Sequence, residues 1–250
     1  MDEKDHNRKA YDSRQAIRAY SSAGGLTLQE ELCLGLVPKA RRRSVLDMGI
    51  GGGRTSEALC REFSEYVGFD YSPSQVEMAK HTFPALDIRL MDARDFEFNR
   101  QFDCLFFSFN GIDYVLPQDR LKILERVASH TAKGGYFIYS THNLAFKRVQ
   151  PWLNRLFVAE IVHPRRWMIL LSNRLRNFWN QRDNTMSGWA LLNDPGLRFG
   201  LLTVYVDMEK EQQLLKRYGF ETVAIIGNGK RHFIFDADDV WVNIVARKIE

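Results

Sequence analysis

Two kinds of segment alternate between residues 44 and 143. Short apolar runs, typical of buried strands, are separated by segments with the three- and four-residue apolar spacing of amphipathic helices. The predicted strands are residues 44–48, 66–70, 86–92, 102–110 and 132–143, and the predicted helices are residues 54–63, 72–83 and 117–131. Strands that alternate with helices in this way pair in parallel, with helices on both faces of the sheet. The pattern therefore predicts an α/β fold.

The regular alternation stops after residue 143. Residues 144–200 contain no clear strand, and they are followed by a predicted strand, a helix and two further strands at 201–206, 207–219, 221–228 and 239–248. The first 40 residues are predicted to be helical. A chain of 250 residues has room for one α/β domain with an insertion. We therefore predict a single domain over residues 1–250, with an N-terminal helical cap (1–40) and a basic helical insertion after strand five (144–200).

Composition agrees with a folded α/β chain. Hydrophobic residues make up 45% of the sequence and charged residues 26%, which is ordinary for a globular protein. The three cysteines show no CxxC spacing, so we expect reduced thiols rather than a disulfide framework. The sequence contains no run of the ~18 apolar residues that a membrane span needs, and its start is too charged for a signal peptide. We therefore expect a cytoplasmic protein.

The positive charge is concentrated in residues 144–182, which hold eight Arg and Lys residues against one Glu. Aromatic and leucine side chains lie between the basic ones at helical spacing. Three interpretations stay open: a packed lid whose arginines face water, a surface for an anionic acceptor such as a phosphate-bearing or lipid-linked sugar, and peripheral attachment to an anionic membrane surface. Nucleic acid binding is only weakly supported, because the net charge of the chain is a modest +4.

A glycine-rich loop follows the first predicted strand. Asp47, Gly49, Gly51 and Gly53 form the pattern D-x-G-x-G-x-G. Glycines at the carboxyl end of a parallel strand let the backbone approach a nucleotide-like ligand closely. The dinucleotide pattern G-x-G-x-x-G fails because Arg54 stands at the third glycine position, and the lysine of a phosphate-binding P-loop is absent as well.

Two further carboxylates end the next two strands. Asp70 ends the second strand, about 20 residues beyond the loop, where an acidic residue accepts hydrogen bonds from ribose hydroxyls. Asp92 ends the third strand and is followed by Ala93. A carboxylate beside a small residue can accept a hydrogen bond from the exocyclic amine of adenine and leaves room for the ring.

Together these segments resemble the class I S-adenosylmethionine-dependent methyltransferase family. The resemblance rests on five segments in the order of that family: "VLDMGIGGGR" (45–54), "YVGFDYSPSQVEMAK" (66–80), "RLMDARDF" (89–96), "FDCLFFSFNGIDYV" (102–115) and "LKILERVASHTAKGGYFIYSTHN" (121–143). It implies a Rossmann-like, seven-stranded, mostly parallel sheet whose last strand is antiparallel. It also implies S-adenosylmethionine as the methyl donor and S-adenosylhomocysteine as the product.

The resemblance also assigns residues to the donor. It places the glycine loop against the methionine part, Asp70 at the ribose, and Phe109 with Asn110 near the sulfonium. Tyr20 lies in the N-terminal segment that folds over the donor in relatives. The full set of predicted donor-binding residues is Tyr20, Asp47, Gly49, Gly51, Gly53, Asp70, Tyr71, Asp92, Ala93, Phe109 and Asn110.

Methyl transfer from a sulfonium depends mainly on alignment, and a hydroxyl acceptor also needs a base. His142, in "STHN" after strand five, is the first candidate base, although a histidine there can also simply hydrogen-bond a loop. Asp113, in "NGIDY" after strand four, is the second catalytic candidate. The other histidines show no metal-ligand spacing, so we predict no metal.

The resulting hypothesis is a methyltransferase that acts on a hydroxyl or amine of a small molecule or saccharide. "FNGI" stands after strand four where base-amino and glutamine methyltransferases carry N/D-P-P-Y/F, which counts against those acceptors. Two alternatives remain open: a non-catalytic S-adenosylmethionine-binding protein, and a nucleotide-dependent oxidoreductase, which Arg54 disfavours.

Overall fold

The computed structural model describes residues 24–149, 182–194, 201–227, 235–236 and 239–249, together with the helical residues 168, 172 and 175. Within these residues ten strands form one sheet: β1 (Ser44–Met48), β2 (Glu65–Asp70), β3 (Asp87–Leu90), β4 (Phe102–Phe107), β5 (Thr131–Asn143), β6 (Arg182–Asn184), β7 (Trp189–Asp194), β8 (Leu201–Val206), β9 (Phe220–Gly227) and β10 (Trp241–Lys248). The α-helices are α1 (Leu28–Gly35), α2 (Ser56–Glu62), α3 (Pro73–Thr82), α4 (Pro117–His130), α5 (Leu144–Val149) and α6 (Met208–Arg217).

Seven of the strands form the expected Rossmann-like sheet. β3, β2, β1, β4 and β5 lie side by side in that order, and each pair is parallel. β10 then pairs antiparallel with both β5 and β9. The predicted mixed sheet with an antiparallel last strand is therefore confirmed, and the carboxyl ends of β1, β2, β4 and β5 lie along one edge.

The central strands are buried because both sheet faces are covered. All residues of β1 and β4 are buried. Leu46 packs on one face with the apolar side of α4, whereas its neighbour Val45 packs on the other face with α1 and α2. This alternation in direction explains why the strand sequences read as continuous apolar runs.

Two of the first three helices, α1 and α3, begin at side-chain caps. Thr27 and Glu30 form a capping box at α1, in which each side chain accepts a hydrogen bond from the other residue's amide. The predicted start of α3 is confirmed, with Ser72 at the cap and Pro73 in the first turn.

None of the helices in the described part of the chain has both the length and the apolar character that crossing a bilayer requires.

An antiparallel hairpin extends the sheet beyond the end of β4. The last pairing between β4 and β5 joins Phe107 to Tyr139. β5 continues beyond this point, and its residues His142 and Asn143 pair in parallel with Tyr205 and Val206 of β8. β8 in turn pairs antiparallel with β7, and β7 with β6. The extension thus places β8 directly beside His142.

The strands β6 and β7 lie within residues 144–200, where no clear strand was predicted. Their strand character comes from pairing with the distant β8, which local periodicity does not report. The insertion begins with a helix, α5, and most of residues 150–181 lies outside the described residues, so its helical character stays a prediction.

Candidate active site

The glycine loop after β1 is built on left-handed backbone. Gly49, Gly51 and Gly53 have φ angles of +64°, +55° and +91°, a region that costs an L-residue with a side chain about 1–2 kcal/mol. The amides of Gly49 and Ile50 donate to the carbonyl of Phe69, at 2.8 and 3.1 Å. The alternating glycines of the motif are therefore required by the turn itself, which is anchored to the end of β2.

The space beside these glycines is only partly available to a ligand. A Cβ on Gly49 would lie 2.7 Å from Phe107, and one on Gly53 would lie 2.7 Å from Phe83, so the protein's own aromatic rings fill both positions. A Cβ on Gly51 would meet nothing closer than Gln75 Oε1 at 3.8 Å. Of the three motif glycines, Gly51 is the one whose missing side chain leaves open space.

Asp70 ties the loop to the helix that follows β2. Its carboxylate accepts from the amide of Gly51 and from the amide of Ser72, each at 2.9 Å. The side chain thus joins the glycine loop to the N-terminus of α3, next to the open space at Gly51. The structure therefore places Asp70 beside the loop, and its role toward the ribose stays a prediction.

Asp47 is fully buried below the loop. Its Oδ2 accepts from Thr55 Oγ1 at 2.7 Å and from the hydroxyl of Tyr66 at 2.9 Å. Burial outweighs these hydrogen bonds and raises the pKa of Asp47 to about 7. Asp47 is thus an acid that can change charge near neutrality at the base of the loop.

Three buried side-chain oxygens around the loop have no hydrogen-bond partner within the described residues: Asp47 Oδ1, Gln75 Oε1 and Asn110 Oδ1. Leaving a buried acceptor unsatisfied costs about 1–3 kcal/mol, so such atoms call for an explanation. All three are acceptors, and the ammonium group, ribose hydroxyls and adenine amine of S-adenosylmethionine are donors of hydrogen bonds. The site therefore fits this molecule chemically.

Gln75 was not predicted as a site residue. It lies in the first turn of α3, is 3% exposed, and its side-chain oxygen faces Gly51 and Gly52. The available sequence signal was its position, because the first turn of a helix after a parallel strand faces the edge where ligands bind.

Asp92 lies two residues beyond the end of β3, because the strand ends at Leu90 and not at Asp92 as predicted. It forms an ion pair with Arg94, whose amide also donates to Asp92 Oδ1 at 2.9 Å. Tyr71 and Ala93 directly follow Asp70 and Asp92, and both are half-buried. The roles of these residues toward adenine stay predictions.

The loop after β4 is strained. Phe109 and Asn110 adopt φ angles of +49° and +57°, and such conformations cost about 1–3 kcal/mol each and cluster at functional sites. Two contacts hold them: the amide of Asn110 donates to Ser140 Oγ at 2.7 Å, and the guanidinium of Arg54 lies 3.8 Å from the centre of the Phe109 ring.

Arg54 also fastens the N-terminal segment to the glycine loop. It forms a bidentate ion pair with Glu30 of α1, at 2.6 and 2.8 Å, and its side chain donates to the carbonyl of Gly25. The amide of Gly25 donates to the carbonyl of Arg54 in return. Tyr20 lies outside the described residues, and its role stays a prediction.

The two predicted catalytic residues are in direct contact. Asp113 Oδ2 lies 2.9 Å from His142 Nδ1 and accepts from the His142 amide at 2.7 Å. A carboxylate only accepts, so the ring proton is assigned to Nδ1, and the neutral imidazole keeps its lone pair on Nε2. Nε2 lies 3.5 Å from Asn110 Nδ2, which places this pair next to the strained loop.

Two tyrosines pack around the imidazole. The ring of Tyr205, from β8, is 4.9 Å from the His142 ring, and the ring of Tyr114 is 5.9 Å away at a steep angle. Among the described residues no group of three or more His, Cys, Asp or Glu is arranged to hold a metal ion, and the prediction of no metal stays a prediction.

Comparisons with known proteins identify methyltransferases as similar to this chain. A family model described as a methyltransferase domain matches residues 45–135. A dTDP-4-amino-2,3,4,6-tetradeoxy-D-glucose N,N-dimethyltransferase from Saccharopolyspora spinosa is 26% identical over 145 residues, which cover 57% of this chain and 53% of that protein. A dTDP-3-amino-3,4,6-trideoxy-alpha-D-glucopyranose N,N-dimethyltransferase from Streptomyces venezuelae is 26% identical over 110 residues, or 44% and 42%. The chain thus spans about half the length of these curated relatives.

The fold is shared over nearly the whole chain with a solved structure. An S-adenosylmethionine-dependent methyltransferase from Clostridium acetobutylicum superposes with a TM-score of 0.61 at 16% identity, covering 97% of this chain and 98% of that one. The sheet order, the loop after β1 and the matched residues 45–135 all lie within this shared fold. The chain thus shares the fold of a solved S-adenosylmethionine-dependent methyltransferase, and its residues 45–135 match a methyltransferase domain.

Proposed function

We propose that this protein transfers a methyl group from S-adenosylmethionine to a hydroxyl or amine of a small molecule or saccharide. The observation that carries the proposal is the position of the Asp113–His142 pair. Its Nε2 lies 3.5 Å from Asn110, whose own buried oxygen is one of the three unpartnered acceptors around the glycine loop. The contact supports a donor site and a base that would meet at Asn110.

Several residues of this chain would hold the donor. Asp47, Gln75 and Asn110 offer buried oxygens, and Gly51 provides open space beside the backbone. When bound, S-adenosylmethionine supplies a methyl group that its sulfonium already activates. The protein then contributes mainly alignment and exclusion of water, which account for most of the rate in such reactions.

His142 would act as the base. Its Nε2 lone pair accepts the proton of the acceptor hydroxyl or ammonium group. Asp113 keeps the ring in the required tautomer through Nδ1 and compensates the charge of the imidazolium that forms. Tyr114 and Tyr205 restrict rotation of the ring by packing on it.

The relatives support an amino saccharide as the first acceptor to test, because both are named as amino-sugar N,N-dimethyltransferases. The eight basic residues of 144–182 support an anionic acceptor, such as a nucleotide-linked or lipid-linked sugar.

Flotation with anionic vesicles at low salt tests peripheral membrane contact through the same segment. Retention of the protein at the bottom of the gradient would exclude membrane contact. We also infer a cytoplasmic location, which the three free cysteines support.

Donor binding is tested first by calorimetric titration with S-adenosylmethionine, S-adenosylhomocysteine and NAD. We expect both adenosyl ligands to bind, NAD not to bind, and Asp70→Ala to lose binding. Asp87→Ala is the matched control, because Asp87 is an exposed carboxylate at the opposite end of the neighbouring strand. Binding of NAD alone would overturn the proposal in favour of an oxidoreductase.

Turnover is tested next with methyl-labelled donor. The acceptor panel contains a free amino sugar, a nucleotide-linked amino sugar and the matching sugars with hydroxyl in place of amine. Transfer that is lost in His142→Gln supports the proposal. Tight donor binding without transfer to any member of a broad panel of amines and hydroxyls would favour the non-catalytic binding protein.

A further inference from the structure

We propose that Arg120 and Glu211 are positioning residues for the Asp113–His142 pair, an inference that rests on the proposed role of His142. Arg120 lies on α4 and Glu211 on α6, 91 residues apart in the chain. Both residues lie on helices and not on the strands that end at the candidate site. Both are nevertheless linked to Asp113 through a continuous buried network.

The far end of the network is a buried ion pair. Two nitrogens of the Arg120 guanidinium donate to the two carboxylate oxygens of Glu211, each at 2.9 Å, and the hydroxyl of Tyr139 also donates to Glu211. The bidentate geometry fixes the plane and position of the guanidinium. Burial together with the negative charge of Glu211 raises the pKa of Tyr139, so its hydroxyl stays protonated.

The near end of the network holds Asp113 from the side opposite His142. Thr141 Oγ1 donates to Asp113 Oδ1 at 2.8 Å, and Arg120 donates to Thr141 Oγ1 at 3.3 Å. Arg120 Nε lies 3.5 Å from Asp113 Oδ1, close enough for an ion pair although without hydrogen-bond geometry. One carboxylate oxygen of Asp113 thus contacts Arg120 and Thr141, and the other contacts His142.

The burial of this network argues against a purely stabilising role. Asp113, Arg120, Glu211, Thr141 and His142 are each at most 4% exposed. Well-packed apolar residues often stabilise a protein as well as or better than a buried ion pair does. A precise geometry at Asp113 explains why charged residues occupy these positions.

The formal charges of the network sum to zero in one protonation state of His142. Two carboxylates, Asp113 and Glu211, face one guanidinium, Arg120, which leaves one negative charge when His142 is neutral. The sum is zero when His142 carries a second proton. Glu211 therefore supplies the charge that matches the imidazolium formed when His142 accepts a proton, although it does not touch His142 itself.

The proposal is tested by NMR on protein labelled with nitrogen-15 in its histidines. Long-range proton–nitrogen spectra report the tautomer of each ring and need no acceptor. We expect His142 to be the Nδ1–H tautomer in the parent chain. In Glu211→Gln we expect its nitrogen resonances to shift and the Nε2–H tautomer to become populated, because Arg120, freed from Glu211, competes for Asp113.

Two comparisons within the experiment isolate the effect. Glu209→Gln removes an exposed carboxylate from the same helix and should leave His142 unchanged. The resonances of His130, a buried histidine whose Nε2 accepts from the amide of Phe98, should stay unchanged in every variant. An unaltered His142 spectrum in Glu211→Gln would overturn the proposal.

A second variant guards against loss of folding. Arg120→Met combined with Glu211→Leu replaces the whole ion pair by apolar side chains of similar size, which proteins commonly tolerate. Its His142 resonances should shift because Asp113 loses Arg120, but the Nε2–H tautomer should not become populated, because no arginine competes for Asp113. Titration with S-adenosylhomocysteine separates the two proposals: absence of binding to the parent chain contradicts the proposed function, whereas the His142 spectra answer the positioning question by themselves.

Discussion

Asn110 Nδ2 lies 3.5 Å from His142 Nε2, where the loop after β4 meets the end of β5. Asn110 is held there in a left-handed conformation, with φ of +57°. His142 is held there by Asp113. Two separately fixed side chains therefore meet at one point, and this contact joins the proposed donor site to the proposed base.

The strain at Asn110 predicts a difference between two substitutions. Asn110→Gly and Asn110→Ala remove the same side-chain atoms beyond Cβ, but glycine adopts this conformation without strain. We expect Asn110→Gly to be more stable than Asn110→Ala by about 1 kcal/mol, measured by denaturant unfolding. Both variants should bind S-adenosylhomocysteine more weakly than the parent chain. Equal stability of the two would contradict strain at this position.

The glycine loop predicts a separation of stability from binding. In Gly49→Ala the new Cβ meets the ring of Phe107 and the backbone is strained, so we expect a loss of about 2–4 kcal/mol of unfolding free energy. In Gly51→Ala the Cβ enters open space, so the loss should be about 1–2 kcal/mol. Titration with S-adenosylhomocysteine should nevertheless show strongly weakened binding in Gly51→Ala. Unchanged affinity there would mean that the space beside Gly51 is not used.

Asp47 predicts a pH-dependent stability. Its pKa is raised by burial from 3.8 to about 7 in the folded chain, so the folded state binds the extra proton between these values. The stabilisation from protonated Asp47 is therefore complete below about pH 4 and is lost as the pH rises to about 7, by an amount on the order of 4 kcal/mol. Asp47→Asn should lack this component in unfolding experiments across that range.

We expect Asp47 to link donor binding to proton release. A cationic or hydroxyl group that satisfies Asp47 Oδ1 favours the ionised carboxylate, so affinity for S-adenosylhomocysteine should rise with pH up to about 7. At pH 6, titration heats in two buffers of different ionisation enthalpy should differ, and Asp47→Asn should abolish the difference. Asp103→Asn, at a buried carboxylate in β4 paired with Arg43, is the control that should retain it.

Much of the fold follows from local sequence. β1 and β4 could be predicted because both faces of a parallel sheet are covered, which makes their sequences continuously apolar. β6 and β7 could not, because their pairing partner β8 is distant in the chain and their own sequences lack strict alternation. Local periodicity reports which face a residue buries, whereas the identity of the neighbouring strand is a property of the whole fold.

The candidate site also contains some residues that could be predicted from the sequence and others that were missed. The glycine loop and Asp70 could be predicted from spacing, since the turn and the strand end fix their positions. Arg120 and Glu211 were missed although the sequence carries a signal for both. Arg120 shares the buried stripe of α4 with Ile123, Leu124 and Val127, and Glu211 is buried between Met208 and Leu215 on α6. Opposite charges on two apolar helix faces indicate a buried ion pair.

Substitution of His142 distinguishes a hydroxyl acceptor from an amine acceptor. A hydroxyl acceptor needs a base at every pH below its own very high pKa, whereas an amine needs only to be neutral. His142→Gln should lower the rate at pH 7 by roughly 10²–10⁴-fold while S-adenosylhomocysteine still binds. With an amine acceptor the variant should recover much of this rate as the pH passes the pKa of the amine, and with a hydroxyl acceptor it should not. Asp113→Asn, which replaces the carboxylate beside Nδ1–H by a neutral amide, should follow the same pH dependence. A full rate at pH 7 in both variants would show that this pair does not accept the proton.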